Sequence, residues 1–302
     1  MGLLTGGRRD AATDPDRTEG RDWRSDATPR RPADRDTRPT GVPWVLWAPA
    51  AIAVAFLALP LVALVSRVPW ADLLEILAAP EIGTSLGVSL VSASLATAAS
   101  LVLGIPLAWV LARSGAWPVV PRRLLRAIVT VPLVLPPVVG GIALLLLLGR
   151  RGALGQYLDA WFGIQLPFTL PAVVIAQTFV AMPFLVLAVE GALRGADRRF
   201  EDAASTLGAS PWLIFRRITL PLIAPGVAAG AVLCFARALG EFGATITFAG
   251  NFPGVTQTMP ISAYLALQTN PEAAYVISLV LLVVSIGVLV SLRDRWASGV
   301  SA

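Results

Sequence analysis

Apolar stretches about as long as a lipid bilayer is thick recur six times in this chain, over residues 43–65, 84–111, 127–148, 170–189, 222–248 and 273–292. A backbone in hydrocarbon must satisfy its own N–H and C=O groups, so a run of about 20 apolar residues has one ready solution, a helix that crosses the membrane. With 56% of its 302 residues hydrophobic and a mean hydropathy of +0.72, the chain is too apolar for a soluble domain. The expected fold is an all-α polytopic membrane protein with six transmembrane helices. The second run is crowded with Ser85, Ser89, Ser92, Ser94 and Ser100, which suits close helix packing more than contact with lipid. In the third, residues 131–141 set three prolines and two glycines at membrane depth. That pattern predicts a kinked or interrupted helix, tolerated only where protein or a cavity surrounds it.

Arginine sets the orientation, because basic residues are retained on the cytoplasmic side. If the N-terminus is inside, the inner segments hold twenty Arg and the outer ones three, Arg67, Arg150 and Arg151, which predicts both termini in the cytoplasm. Residues 1–42 read as a disordered cytoplasmic tail, since nine Arg and eight Asp or Glu alternate there with Pro, Gly and Thr and almost no large apolar residue. The near balance of charge argues against nucleic acid as a partner. Residues 43–292 form the membrane domain and residues 293–302 a short cytoplasmic end.

Several chemistries are excluded by composition. The chain has no His and no Lys, so it has no His-ligated metal, no His base, no Lys Schiff base and no phosphate-binding P-loop lysine. Cys234 is the one cysteine and reads as a small apolar residue inside a helix. A membrane-embedded hydrolase, the competing class, would need a nucleophile and base that this residue set does not readily assemble.

Between the fourth and fifth runs lies a polar, arginine-bearing cytoplasmic loop, residues 191–221. Its residues 200–207 read as a short helix with Asp197, Glu201 and Asp202 near its start, where carboxylates face unpaired N–H groups. Gly208 supplies the stop, and Ser210-Pro211 opens a second helix. Within the fifth run, Arg237 and Glu241 are four apart and share a helix face with Gly226, Gly230 and Cys234. Ionisable groups in a span cost about 2.5–3.5 kcal/mol each on insertion scales unless paired or facing water. The pair therefore marks either a structural ion pair or a face that looks onto a translocation path. Outside, Trp161, Phe162, Pro167 and Phe168 read as interfacial anchors or as docking residues for a soluble partner.

Two motifs carry a resemblance. Asp202-Ala203-Ala204, three residues, Gly208, nine residues, then Ile218-x-Leu220-Pro221 resembles the cytoplasmic signature of ABC importer permeases that docks on the ATPase subunit. Asp202 stands where that signature has Glu, with Glu201 just before it, so which carboxylate meets the partner is open. Residues 235–258, with Met259-Pro260-Ile261 and Tyr264, resemble the fifth span and outer loop of molybdate permeases of the ModB type. Sulfate and thiosulfate permeases share Leu239 to Ala244, whereas residues 249–258 are nearer the molybdate branch.

The resemblance implies a type I importer fold in a bacterial inner membrane and a second copy of the chain. It implies two ATPase subunits that bind ATP and Mg, an extracellular binding protein for the oxyanion, and no cofactor in this chain. Molybdate and tungstate are the implied substrates; sulfate, thiosulfate or another small solute is the alternative. Asn251, Thr256, Gln257 and Thr258 are candidates for docking the binding protein or, equally, solvated turn residues.

Overall fold

The computed structural model describes residues 44–298, all helices, turns and loops. In chain order the α-helices are α1 (Trp47–Ser66), α2 (Leu73–Leu77), α3 (Pro80–Arg113), α4 (Val119–Val134), α5 (Pro137–Leu148), α6 (Gly155–Phe162) and α7 (Leu170–Gly195), then α8 (Arg199–Thr206), α9 (Pro211–Ile214), α10 (Leu220–Leu239), α11 (Gly243–Phe248), α12 (Met259–Thr269) and α13 (Pro271–Ser298). Residues 1–43, which include the expected tail, lie outside the described residues, and α13 carries helical backbone through Arg293 and Arg295. Contacts divide the chain at Ala55 and Phe56. No side chain of α1, which straddles that division, is buried.

Five helical stretches are long and apolar enough to cross a membrane, and a sixth is if α4 and α5 together form one broken span. The most deeply packed is α7, with 56% of its apolar window buried against 28% for the stretch that contains α3. Small residues permit this. Ser89, Ser92, Ala93, Ala96, Ser100, Gly104 and Ala108 of α3 are all buried, so the serine-rich run is a packing seam, as its composition predicts. A Cβ on Gly104 would stand 3.0 Å from Leu185, and one on Gly230 of α10 would stand 3.0 Å from Ala188, so α3 and α10 both approach α7 closely. At 1.5 Å per residue the 34 residues of α3 span about 51 Å. That exceeds a hydrocarbon core of about 30 Å, so α3 projects well past it.

The third run is interrupted, as its prolines and glycines predict: α4 and α5 meet at 117° across Leu135 and Pro136. Leu135 precedes a proline and takes extended geometry, φ −66° and ψ 130°, and Pro136 follows with ψ 131°. A proline disfavours the helical conformation in the residue before it and has no N–H to donate, and at the Pro136-Pro137 pair both effects coincide where the helix stops. The fifth run, expected as one helix, needs correction: α10 ends at Leu239 and Glu241 lies beyond it. Phe215–Thr219, just before α10, is a π-helical turn, wider than α-helix, next to Pro221 and Pro225, which have no N–H to donate.

The two short helices that follow these breaks, α5 and α11, pack on each other. A Cβ on Gly141 would stand 2.8 Å from the Ala244 carbonyl oxygen and would overlap Thr247 Oγ1, while one on Gly243 would stand 2.9 Å from Pro137 Cβ. Broken backbone at membrane depth is thus covered by other backbone. Gly141→Ala is expected to cost about 1–3 kcal/mol, because backbone atoms of α11 cannot yield to the new methyl. The thermal unfolding midpoint of the purified complex checks this, with Gly83→Ala, in α3 where a Cβ meets nothing within 4 Å, expected to leave it unlowered or slightly raised.

Candidate coupling element and membrane path

The loop between α7 and α10 is built by local rules. Asp197 Oδ1 accepts the Arg199 N–H at 3.0 Å, and α8 then carries Glu201 and Asp202 in its first turn. Gly208, at φ +81°, reverses the chain in the left-handed region where a side chain would be strained. Ser210 caps the next turn through the Leu213 N–H, with Pro211 at its first position.

The two adjacent acids do different things. Glu201, its side chain 13% exposed, pairs with the Arg113 guanidinium at the end of α3 and accepts the Thr219 hydroxyl at 2.6 Å. Asp202 is exposed, as are Ala203 and Gly208. Ala204, Ile218 and Leu220 are half-buried and Pro221 is exposed. Glu201 thus fastens α8 to α3 and to the start of α10, and Asp202 is left to face outward. Burial alone would push the Glu201 carboxyl up, but the hydroxyl of Thr219 and the charge of Arg113 outweigh it and hold the group below its ordinary value.

Three features here carry no motif. Phe200 on α8 and Leu207 at its C-cap, 59% and 87% exposed, leave apolar surface at the two ends of this helix. Arg113 and Thr219, the partners of Glu201, are far from it in sequence and could not be paired with it by reading. Glu190 is buried on α7 and holds both Arg126 of α4 and, at 2.7 Å, Arg194, which ties the first half of the broken span to the central helix.

Arg237 and Glu241 are an ion pair at 2.6 Å, although not on one helix. The Arg237 side chain is 28% exposed and that of Glu241 1%. Glu241 also accepts the Ala244 N–H at 2.8 Å and so sits at the N-terminus of α11, where a carboxylate satisfies an otherwise orphaned donor and meets the helix dipole. Cys234 is buried. The structure therefore gives Glu241 two partners, the Arg237 guanidinium and the Ala244 N–H.

Of the four outer-loop residues, Asn251 is exposed and Gln257 half-buried, but Thr256 and Thr258 are buried. Thr256 Oγ1 accepts the Phe252 N–H at 2.8 Å and closes the turn. The loop is stitched to the body where the Met259 N–H donates to Ser89 Oγ at 2.7 Å and where Phe168 packs on Gly250. Trp161, Phe162 and Phe168 are exposed. Near them Asp159 holds Arg150 and Gln165, the Gln165 hydrogen bond and then Arg150 keeping its carboxyl below the ordinary range. Among the described residues no group of three or more His, Cys, Asp or Glu side chains is placed to hold a metal ion.

A long-helix bundle with a broken span and a polar loop docked by an ion pair is the architecture of a transporter's membrane subunit. Residues 101–298 match the family described as the binding-protein-dependent transport system inner membrane component, and the chain belongs to it. It is thus a multi-pass inner-membrane permease component and not the ATPase, and membership implies an ATPase and a binding protein as partners. The chain is 48% identical to the molybdenum transport system permease protein ModB of Mycobacterium tuberculosis, over 86% of its own length and 97% of that protein. It is 35% identical to the sulfate transport system permease protein CysT of Escherichia coli, over 78% and 86%. Its fold matches a chain of a bacterial alginate ABC transporter with a TM-score of 0.66 at 18% identity, over 83% of this chain and 93% of that one.

Two outcomes follow from these contacts. Glu201→Ala is expected to cost about 1–2 kcal/mol through its lost hydrogen bonds, discounted for the exposure of Arg113. Because the folded value of Glu201 is lowered, that stabilisation is complete above its ordinary value of 4.5 and is lost as pH falls through the folded value, a dependence absent in Glu201→Gln. Denaturation of the complex followed between pH 7 and 3 reads both. Arg237→Met alone is expected to cost about 3–5 kcal/mol by leaving a buried carboxylate unpaired, and Arg237→Met with Glu241→Gln less than that, measured as unfolding midpoints.

Proposed function

We propose that two copies of this chain form the translocation path for molybdate, and for tungstate, in an ATP-driven importer. Loaded binding protein docks on the outer loops, with Asn251 and Gln257 as the accessible members of the 251–258 turn and Thr256 and Thr258 shaping it from within. ATP and Mg bind the partner ATPase dimer. Its closure is received by α8, through Asp202, Ala203 and the apolar surface of Phe200 and Leu207. Glu201 then passes the motion to α3 and α10, and the broken span formed by α4 and α5 reorients against α7.

In this reading residues 1–42 are a cytoplasmic tail, 43–292 the membrane domain with coupling loop 191–221, and 293–302 the cytoplasmic end, with lipid around the domain and no nucleic acid bound. Arg237 and Glu241 hold the path's wall in shape; they do not coordinate the anion. Selectivity lies in the binding protein, whose donors are matched to the anion.

The observation that carries the substrate is the margin between relatives: 48% identity over 86% of the chain to a molybdenum permease against 35% over 78% to a sulfate permease. Sulfate is the second reading, supported by that same relative. The test is ATP hydrolysis by the complex in vesicles with its binding protein. Molybdate and tungstate are expected to stimulate it and sulfate not to; stimulation by sulfate alone would contradict the substrate and leave the importer intact. Asp202→Ala is expected to lower stimulated turnover about tenfold, as for the loss of about 1.4 kcal/mol from a charged contact.

A further inference from the structure

At the end of α3 remote from α8, a cavity of about 720 Å3 opens where α2, the start of α3, α12 and the start of α13 meet. Asp72, Glu75, Glu81 and Glu272 line it, and no Arg does. All four acids are exposed, and among the described residues none of their side chains has an ion-pair or hydrogen-bond partner. Helix N-termini account for each acid by itself: Asp72 precedes α2, and Glu75, Glu81 and Glu272 stand in the first turns of α2, α3 and α13. They do not account for four like charges gathered around one hollow, which repel one another until a cation enters.

The floor of the cavity is polar as well. Ser262 of α12 lines it at 8% exposure, and its hydroxyl has no hydrogen-bond partner among the described residues. A hydroxyl so deeply set and unmatched is an acceptor for an N–H donor that enters. Gln257, half-buried, lines the same cavity and joins it to the 251–258 turn. A metal ion does not suit this arrangement, because among the described residues no three acidic side chains are placed to hold one. Carboxylates set apart around a hollow of this size fit the separate ammonium or guanidinium tips of basic side chains.

Position says whose side chains they are. Glu81, in the first turn of α3, lines the cavity, while Arg113, the last residue of that helix, holds α8 through Glu201. The 34 residues of α3 set the two ends about 51 Å apart along its axis. A subunit seated on α8 therefore does not reach the cavity. Of the two partners that family membership implies, the ATPase and the binding protein, the second is the one left to fill it.

We propose that this cavity receives Lys or Arg side chains of the binding protein, held by Asp72, Glu75, Glu81 and Glu272 at the rim and by Ser262 on the floor. The four carboxylates draw a basic surface toward the permease and fix its register against the 251–258 turn. This rests on the reading of the outer loops as the docking face and of α8 as the ATPase side.

The test is the affinity of the binding protein for the permease–ATPase complex in lipid nanodiscs, measured by biolayer interferometry between about 50 and 500 mM NaCl. Molybdate and sulfate are both present, so the outcome does not depend on which anion is carried. Wild type is expected to bind and to weaken as salt rises. Glu75→Gln/Glu272→Gln is expected to weaken binding about tenfold, or about threefold per carboxylate, and to flatten the salt dependence. Ser262→Ala is expected to weaken it about threefold and leave the salt dependence as it was. Equal affinity of wild type and the double variant at every salt concentration overturns the cavity and leaves docking on the outer loops standing. No binding to wild type at any salt overturns both. Loss of the second permease copy from the double variant, with affinity for the binding protein unchanged, would assign the cavity to a contact between copies and overturn it too.

Discussion

Backbone polar groups in hydrocarbon have no water to turn to, and most of this structure follows from how that constraint is met where helices stop. Two apolar runs break their helix, at Leu135–Pro136 and at Gly240–Phe242. The short helices after the breaks, α5 and α11, lie against each other through Gly141 and Gly243, where neither has room for a Cβ. Glu241 then closes the exposed end of α11 with one oxygen and holds Arg237 with the other. A carboxylate that costs a few kcal/mol to bury is kept because it satisfies a backbone donor that would cost about as much to leave bare. Remove either partner and the other is stranded.

At the loop between α7 and α10 the same economy serves motion instead of enclosure. Two adjacent acids divide the work: Glu201 turns inward to Arg113 and Thr219, and Asp202 stays outward. An eight-residue helix has little intrinsic stability, so a push on it would be lost unless it were fastened to something longer. Here the fastening is to the end of α3, 34 residues long and packed along α7, and to the start of α10. Glu190, clasped by Arg126 and Arg194, makes the matching tie between α4 and α7. Each tie thus joins a shorter element, α8 or α4, to one of the long packed helices, α3 or α7.

The sequence made some of this legible and hid the rest for identifiable reasons. Hydropathy places the spans because hydrocarbon thickness fixes their length, and the serines of α3 announce a packed seam because nothing else suits them there. The break in the third run was visible, since Pro132, Pro136 and Pro137 signal a kinked or interrupted helix, but what covers it was not, because Gly141 meets α11 a hundred residues away. Glu241 misled because its spacing from Arg237 suits a helix, and the pair does form, while the helix ends between them. In α8 the order of Glu201 and Asp202 could not say which faced out, since that is decided by Arg113 and Thr219. Thr256 and Thr258 read as loop polars and are buried, because the turn folds inward over its own hydroxyls.

The claim on which the rest depends is that α8 moves as one body with α3 because Glu201 ties it there. The direct measurement is the distance between spin labels at Ser205→Cys on α8 and Val102→Cys on α3, in a complex diluted with unlabelled copies, with and without ATP bound to the partner subunit. Both positions are exposed, and Cys234 is buried. One narrow distance distribution, unchanged by nucleotide, is expected in the wild type, and a broader one in Glu201→Ala. A shift of several Å on nucleotide binding in the wild type, or an unaltered distribution in Glu201→Ala, would contradict it.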